Sequence, residues 1–221
     1  MRVILFGATG MVGQGVLREC LIDAPVERVL VVGRSPGGAA HPKLHELVLK
    51  DFLNLSSVEA ELTGYDACFF CLGVSAVGMT EAVYRRVTYD IATAVGETLS
   101  RLNPGMTFVF VSGAGADSTG RGSVMWARVK GETENALLRL PFKAVYVVRP
   151  AFIQPLHGTT SRTRLYRMLY AIAAPLYPVL KRLAPGYVTT TELVGRAMLN
   201  LVEHGAPIHV LENRDINLAA R

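Results

Sequence analysis

The chain is 221 residues long, half of them apolar, with a formal net charge of +5. That length and hydrophobicity exclude a disordered chain and suffice for one α/β domain with a sizeable core. The basic residues are scattered, without a cluster interleaved with aromatics, which argues against a nucleic-acid surface. No apolar run approaches the roughly 18 residues of a transmembrane helix.

Arg2-Val3-Ile4-Leu5-Phe6 predicts a first strand, and Val16, Leu17, Cys20 and Leu21 at helical spacing predict the helix after it. Between them runs Gly7-Ala8-Thr9-Gly10-Met11-Val12-Gly13. Glycines at this spacing on a strand-to-helix turn allow a tight bend, close approach of a pyrophosphate, and close packing of helix on strand. The free N–H groups and positive dipole end of the helix then face the phosphates. A dinucleotide site is expected here; the alternative is a tight turn in an α/β sheet that binds no nucleotide. The second strand, 28–32, ends in Gly33-Arg34-Ser35, where a dinucleotide fold that selects NAD places an acid for the ribose hydroxyls. Arg34 would instead pair with a 2′-phosphate and Ser35 donate to it, which favours NADP, with NAD as the alternative. A solvated loop arginine would look the same.

Further strands are predicted over 46–51, 66–72, 107–112 and 143–148, with a short helix at 55–62. A long helix over 80–102 follows from Val83, Val87, Ile91, Val95, Leu99 and Leu102, and Asn103-Pro104-Gly105 stops it. A glycine-rich loop spans 113–122, and the next helix covers 124–140 with Ser123 as its N-cap. Residues 191–203 form a last helix and 208–211 a last strand. This alternation implies one Rossmann-type doubly wound parallel sheet over 1–221, with a small C-terminal lid region at 151–190. Within it, 165–180 is aromatic and apolar between basic flanks, a pattern of a cleft lid, a subunit contact or a membrane-surface helix.

Three cysteines without framework spacing suggest a reducing compartment. Cys68 and Cys71 stand three apart in one strand, so they point to opposite faces and do not form a redox pair. The five histidines form no ligand constellation, and no metal is expected. With the first strand starting at once and no leader pattern, a cytoplasmic location is expected.

These segments resemble the short-chain dehydrogenase/reductase superfamily, in its atypical NAD(P)H-binding branch. The turn Gly7 to Gly13, including Thr9, Met11 and Val12, resembles that branch's glycine motif, and Gly33-Arg34-Ser35 its NADP-type second strand. Asp51-Phe52 is similar to its adenine-facing pair, and Cys71-Leu72-Gly73 to its ribose contact after the fourth strand. Val129-Lys130-Gly131-Glu132 and Val148-Arg149-Pro150 match the helix after the fifth strand and the end of the sixth. Arg196-Ala197-Met198 and Leu211-Glu212-Asn213 further resemble the Tat-interacting, tumour-suppressor-like oxidoreductases of that branch.

The resemblance implies a serine near Ser112 and a tyrosine four residues before Lys130 as the catalytic group. That spacing puts phenol and lysine on one helical face, where the lysine lowers the phenol pKa for proton exchange. Position 126 is Trp126, whose indole donates a hydrogen bond but exchanges no proton near neutral pH. Trp126 as an apolar wall, Lys130 as a contact to the nicotinamide ribose, and Ser112 as a strand end are the plainer readings. Thr88 also stands where many relatives carry asparagine. Asp117 and Ser118 are weak substitute acids. Two functions are open: an oxidoreductase or epimerase on a small organic substrate, or an NADP(H)-sensing protein that contacts a protein partner, either one as a monomer or a homo-oligomer.

Overall fold

The computed structural model describes residues 1–38, 40–159 and 184–221. Its strands are β1 (Arg2–Phe6), β2 (Arg28–Gly33), β3 (Leu44–Val48), β4 (Ala67–Phe70), β5 (Thr107–Val111), β6 (Ala144–Arg149), β7 (Phe152–Gln154), β8 (Val188–Thr190) and β9 (Val210–Glu212). The helices are α1 (Met11–Ile22), α2 (Glu81–Arg85), α3 (Ile91–Leu102), α4 (Met125–Leu137), α5 (Thr191–Glu203) and α6 (Asn213–Ala219). Seven strands pair in the order β3-β2-β1-β4-β5-β6-β9, all parallel. Strand order reverses between β1 and β4, and the crevice beyond their carboxyl ends is where this Rossmann-like fold places ligands.

The strands read as unbroken apolar runs because both faces of the sheet are covered. One face carries Val3, Leu5, Val29, Phe69, Val109 and Val148, packed under α1, α5 and α6 through Val16, Val194, Met198 and Ile216. The other carries Ile4, Phe6, Leu30, Phe70, Phe108 and Phe110 under Val95 and Leu99 of α3 and Leu137 of α4. Along this second face Phe70 lies 5.6 Å from Phe6 and 6.0 Å from Phe108 between ring centroids. Helices α1 and α5 touch through glycine: a Cβ on Gly15 would stand 2.6 Å from the Thr191 Cβ, and one on Gly195 2.7 Å from the Glu19 Cγ.

Several expected boundaries shift. The third strand lies at Leu44–Val48, earlier than 46–51, because register along β2 pairs Val29 with Leu44. The expected 55–62 helix is a single 3-10 turn, Ser56–Val58. The 80–102 helix is interrupted by a π-helical segment, Arg86–Asp90, which the apolar spacing does not reveal. Val124, not Ser123, occupies the α4 N-cap position, without a side-chain cap. The parallel pair β7–β8 and helix α6 are additional. Residues 160–183, which include the 165–180 segment, lie outside the described residues.

Candidate functional site at the carboxyl ends of the strands

The three glycines of the first turn have three different surroundings. Gly7 has φ +82°, and a Cβ there would meet the Cys71 carbonyl carbon at 2.6 Å, so the chain leaving β1 lies directly against the chain leaving β4. A Cβ on Gly13 would stand 2.1 Å from the Gly7 oxygen, so helix α1 can start only this close to β1 without a side chain there. Gly10 differs: its nearest atom would be the Gly7 oxygen at 3.4 Å, an ordinary contact, and φ is −79°. Nothing in the protein therefore requires glycine at position 10. An open position of this kind is what a ligand approaching the backbone would need. Thr9 holds the turn by accepting from the Gln14 amide at 3.1 Å, and the first turn of α1, beginning Met11-Val12, carries no acid. The geometry fits a pyrophosphate.

The other residues expected at the site follow the carboxyl ends of β2, β3 and β4. Arg34 and Ser35 are exposed just past β2, and Arg34 has no ion-pair partner among the described residues. Their loop is held by the Gly37 N–H, which donates to Glu46 at 2.8 Å. The Asp51 carboxylate accepts from the Leu53 N–H at 2.9 Å, and the Phe52 ring is buried edge-on against Phe6 at 5.9 Å. Phe52 is thus spent on the core. Cys71, Leu72 and Gly73 leave β4, with the Cys71 N–H bonded to the Phe6 carbonyl at 2.9 Å. Cys68 packs in the α3–α4 core and Cys71 against the α1–α5 core, on opposite faces, and burial pushes both thiols up.

Farther along the sheet, α4 and the loop 113–122 form a wall. Lys130 is half-buried, its Nζ 5.6 Å from the centroid of Phe110. Burial lowers its pKa to about 8, against the pull of Glu134, so it remains mostly charged at neutral pH. Trp126 lies one helical turn earlier, half-buried, with its indole 3.5 Å from where a Gly115 Cβ would stand. The indole is packed against the loop. Gly131 allows that loop to lie on α4, since a Cβ there would be 1.8 Å from the Asp117 carbonyl oxygen.

Neither substitute acid is free to act as one. The Asp117 carboxylate accepts from the Thr119 hydroxyl at 2.6 Å and the Gly122 N–H at 2.7 Å, and these bonds hold its pKa below the usual range. The Ser118 hydroxyl accepts from Arg149 at 2.6 Å. The Ser112 hydroxyl is buried and donates to Glu134, pointing beneath α4. Pro150 is buried and accepts the Ala114 N–H at 3.0 Å, tying the end of β6 to the same loop.

Two residues at the centre of this wall were not singled out for any site role from the sequence. Glu134, 1% exposed, accepts from Ser112 and from the Nε and a terminal nitrogen of Arg149. Arg149 also reaches Glu212 at 3.0 Å. Two ion pairs through Arg149 and the Ser112 hydrogen bond thus join the ends of β5, β6 and β9 to α4. The only sequence signal is a glutamate one turn after Lys130, which by itself suggests nothing more than helix pairing. The π-helical segment is the other omission; its Thr88 is buried, and such segments recur at functional sites.

Among the described residues no group of three or more His, Cys, Asp or Glu is placed to hold a metal, and no helix is long and apolar enough to cross a membrane.

No family model matches the chain. Individual proteins do. Protein fmp52, mitochondrial, of Aspergillus clavatus is 28% identical over 216 residues, covering 90% of this chain and 85% of its own. Protein HTATIP2 of Rattus norvegicus is 28% identical over 220 residues, covering 97% and 87%. Among solved structures, the dTDP-glucose 4,6-dehydratase DesIV of Streptomyces venezuelae, with NAD and TYD bound, superposes with TM-score 0.69 at 15% identity, over 100% of this chain and 80% of that one. The UDP-N-acetylglucosamine 4-epimerase of Methanobrevibacter ruminantium gives 0.68 at 14% identity, over 95% and 74%. The expected cytoplasmic location does not stand, because the fungal relatives are named mitochondrial. A leader pattern is the wrong signal to rely on when relatives that align over most of the chain carry that address. The fold is Rossmann-like, and by motif placement and these relatives the chain is similar to the atypical, NAD(P)H-binding branch of the short-chain dehydrogenase/reductase superfamily.

Proposed function

We propose that the chain binds NADP(H) and acts as an oxidoreductase or epimerase on a small organic substrate, without the family's tyrosine. The observation that carries this reading is the Gly10 position, which the fold leaves open while it closes around Gly7 and Gly13. In this reading residues 1–221 form one nucleotide-binding domain, with 151–190 on the substrate side. A bound nicotinamide would supply the hydride. Gly7, Thr9, Gly10, Met11, Val12 and Gly13 would cradle the pyrophosphate, with Asp51, Cys71, Leu72, Gly73 and Pro150 lining the rest of the cleft and Phe52 supporting it from the core. Lys130 would donate to the nicotinamide ribose hydroxyls, a role its remaining charge at neutral pH supports. With Trp126, Asp117 and Ser112 otherwise engaged, the proton would come from water or from the substrate itself.

Gly10→Val tests the site. The variant should fold normally, since no protein atom crowds position 10, and should bind NADPH at least about a hundredfold more weakly, roughly 2.8 kcal/mol. Unchanged affinity in a fluorescence or calorimetric titration would remove the basis for the nucleotide assignment. Arg34 decides between the cofactors. Arg34→Ala should weaken NADPH by about 1.5–3 kcal/mol, the range for a charged hydrogen bond, and leave NADH nearly unchanged. Equal losses for both would mean that the arginine does not read the 2′-phosphate.

The second reading, a protein that binds NADP(H) and reports its state through a protein contact, is favoured by Trp126. Incubating the protein with NADPH and a panel of aldehydes, quinones and nucleotide sugars while following NADPH absorbance separates the two.

A further inference from the structure

At the opposite end of the sheet from the glycine turn lies a cavity of about 360 Å³ that the nucleotide reading does not use. It opens at the amino ends of β1 and β2, four residues and roughly 13 Å along β1 from Phe6. Its defining feature is a pair of arginines. Arg2 and Arg28 are register partners on adjacent parallel strands, and strand alternation puts both on the same face as Ile4 and Leu30. Neither makes an ion pair with a described residue. Like charges facing each other across a sheet are destabilising, so two guanidinium groups without a direct ion pair favour an anion bound between them.

Among the described residues no carboxylate comes within ion-pair distance of either guanidinium. The Arg2 guanidinium lies over the Tyr65 ring, 4.9 Å from its centroid, which orients it without neutralising it. The Arg28 Nε is buried and meets no acceptor among the described residues. Of the carboxylates nearby, Glu46 also lines the cavity and accepts from the Gly37 N–H, and Asp66 accepts from the Arg2 backbone N–H at 2.6 Å. Glu61 lines the cavity from an exposed position and makes no ion pair with a described residue. Leu30, Leu47 and the Tyr65 ring supply an apolar side.

We propose that this cavity binds a small phosphate monoester, its phosphate held between Arg2 and Arg28 and its organic part against Leu30, Leu47 and Tyr65. A phosphate monoester carries nearly two negative charges at neutral pH, matching two guanidinium groups, and arginine forks suit its oxygens. The cavity is near the lower end of the ~300–1,000 Å³ range of ligand sites, which suits a small ester and excludes a dinucleotide. This site is independent of the glycine turn.

The test uses phenyl phosphate, inorganic phosphate and benzoate as probes, with the protein saturated with NADPH so that the glycine turn is already engaged. Amide chemical shifts report the location. Phenyl phosphate should move the amides of Leu30, His45, Gly64 and Tyr65 and leave those of Gly10 and Val12 in place. Arg28→Met keeps the apolar stem and removes the charge, so it should weaken phenyl phosphate at least about tenfold. It should also leave the unliganded protein as stable as wild type or more so, because a repulsion is relieved. An Arg28→Met protein that is less stable while phenyl phosphate moves none of these amides in wild type would show a structural arginine and overturn the proposal. Equal shifts from benzoate would overturn the choice of a dianion, and shifts confined to Gly10 and Val12 would overturn the site.

Discussion

Arg149→Ala is expected to destabilise the protein by about 3–5 kcal/mol, the cost of removing one partner from a buried ion pair. Glu134 has two strong donors, Ser112 and Arg149, and almost no solvent. Without the guanidinium its buried carboxylate keeps a single hydroxyl donor. Against a typical total of ~5–15 kcal/mol the loss is large, and at about 2–4 °C per kcal/mol for a domain of this size the melting temperature should fall by roughly 10 °C. Denaturant titration measures it. The pair is not the cheapest way to fill the space, however. A double variant, Glu134→Leu with Arg149→Met, should recover most of the lost stability, because an apolar pair avoids the desolvation penalty. A single variant that loses less than about 1 kcal/mol would mean that solvent reaches Glu134 and that the wall is looser than drawn. The double variant separates stability from function: it should fold yet bind NADPH more weakly, because Ser118 and Ser112 lose the anchors that hold the loop 113–122 and the end of β5 at the cleft.

How far the fold could be read in advance follows from which forces are local. The unbroken runs at 2–6, 28–32 and 107–111 announce buried parallel strands because each residue there faces a core. Gly7, Gly10 and Gly13 are legible for a similar reason, since turn, approach and packing are all decided within seven residues. The third strand slipped because Leu44–Val48 is a half-exposed edge with weak alternation, and its register comes from β2, about fifteen residues away. The π-helical segment is invisible because one extra residue in a turn hardly alters an apolar stripe. The Glu134–Arg149 pair joins residues fifteen apart through a helix and a strand, and only the sheet brings them together. Gly15 and Gly195 likewise make sense only once α1 and α5 are known to touch. Any role for Trp126 and Lys130 needed a family pattern, because residues four apart on a helix share a face whether they line a site or only pack.

Trp126→Tyr is the substitution with the largest expected gain. It places a phenol one helical turn before Lys130, on the same face, where the half-buried ammonium lowers the phenol pKa. A positioned acid contributes typically ~10²–10⁴-fold, so NADPH-dependent reduction of an aldehyde or quinone that wild type barely turns over should become measurable. The indole packs by Gly115, and the smaller ring gives up part of that contact. The gain is therefore expected at the lower part of the range, with a small loss of stability. Trp126→Phe is the control, since it makes the same change in the wall and adds no hydroxyl. Activity in the tyrosine variant alone would assign the proton to the phenol. Equal activity in both variants would mean that opening the wall, not the acid, admits the substrate. Brisk turnover by wild type that neither variant changes would place the proton donor elsewhere, in water or on the substrate, and would leave Trp126 as a wall and nothing more.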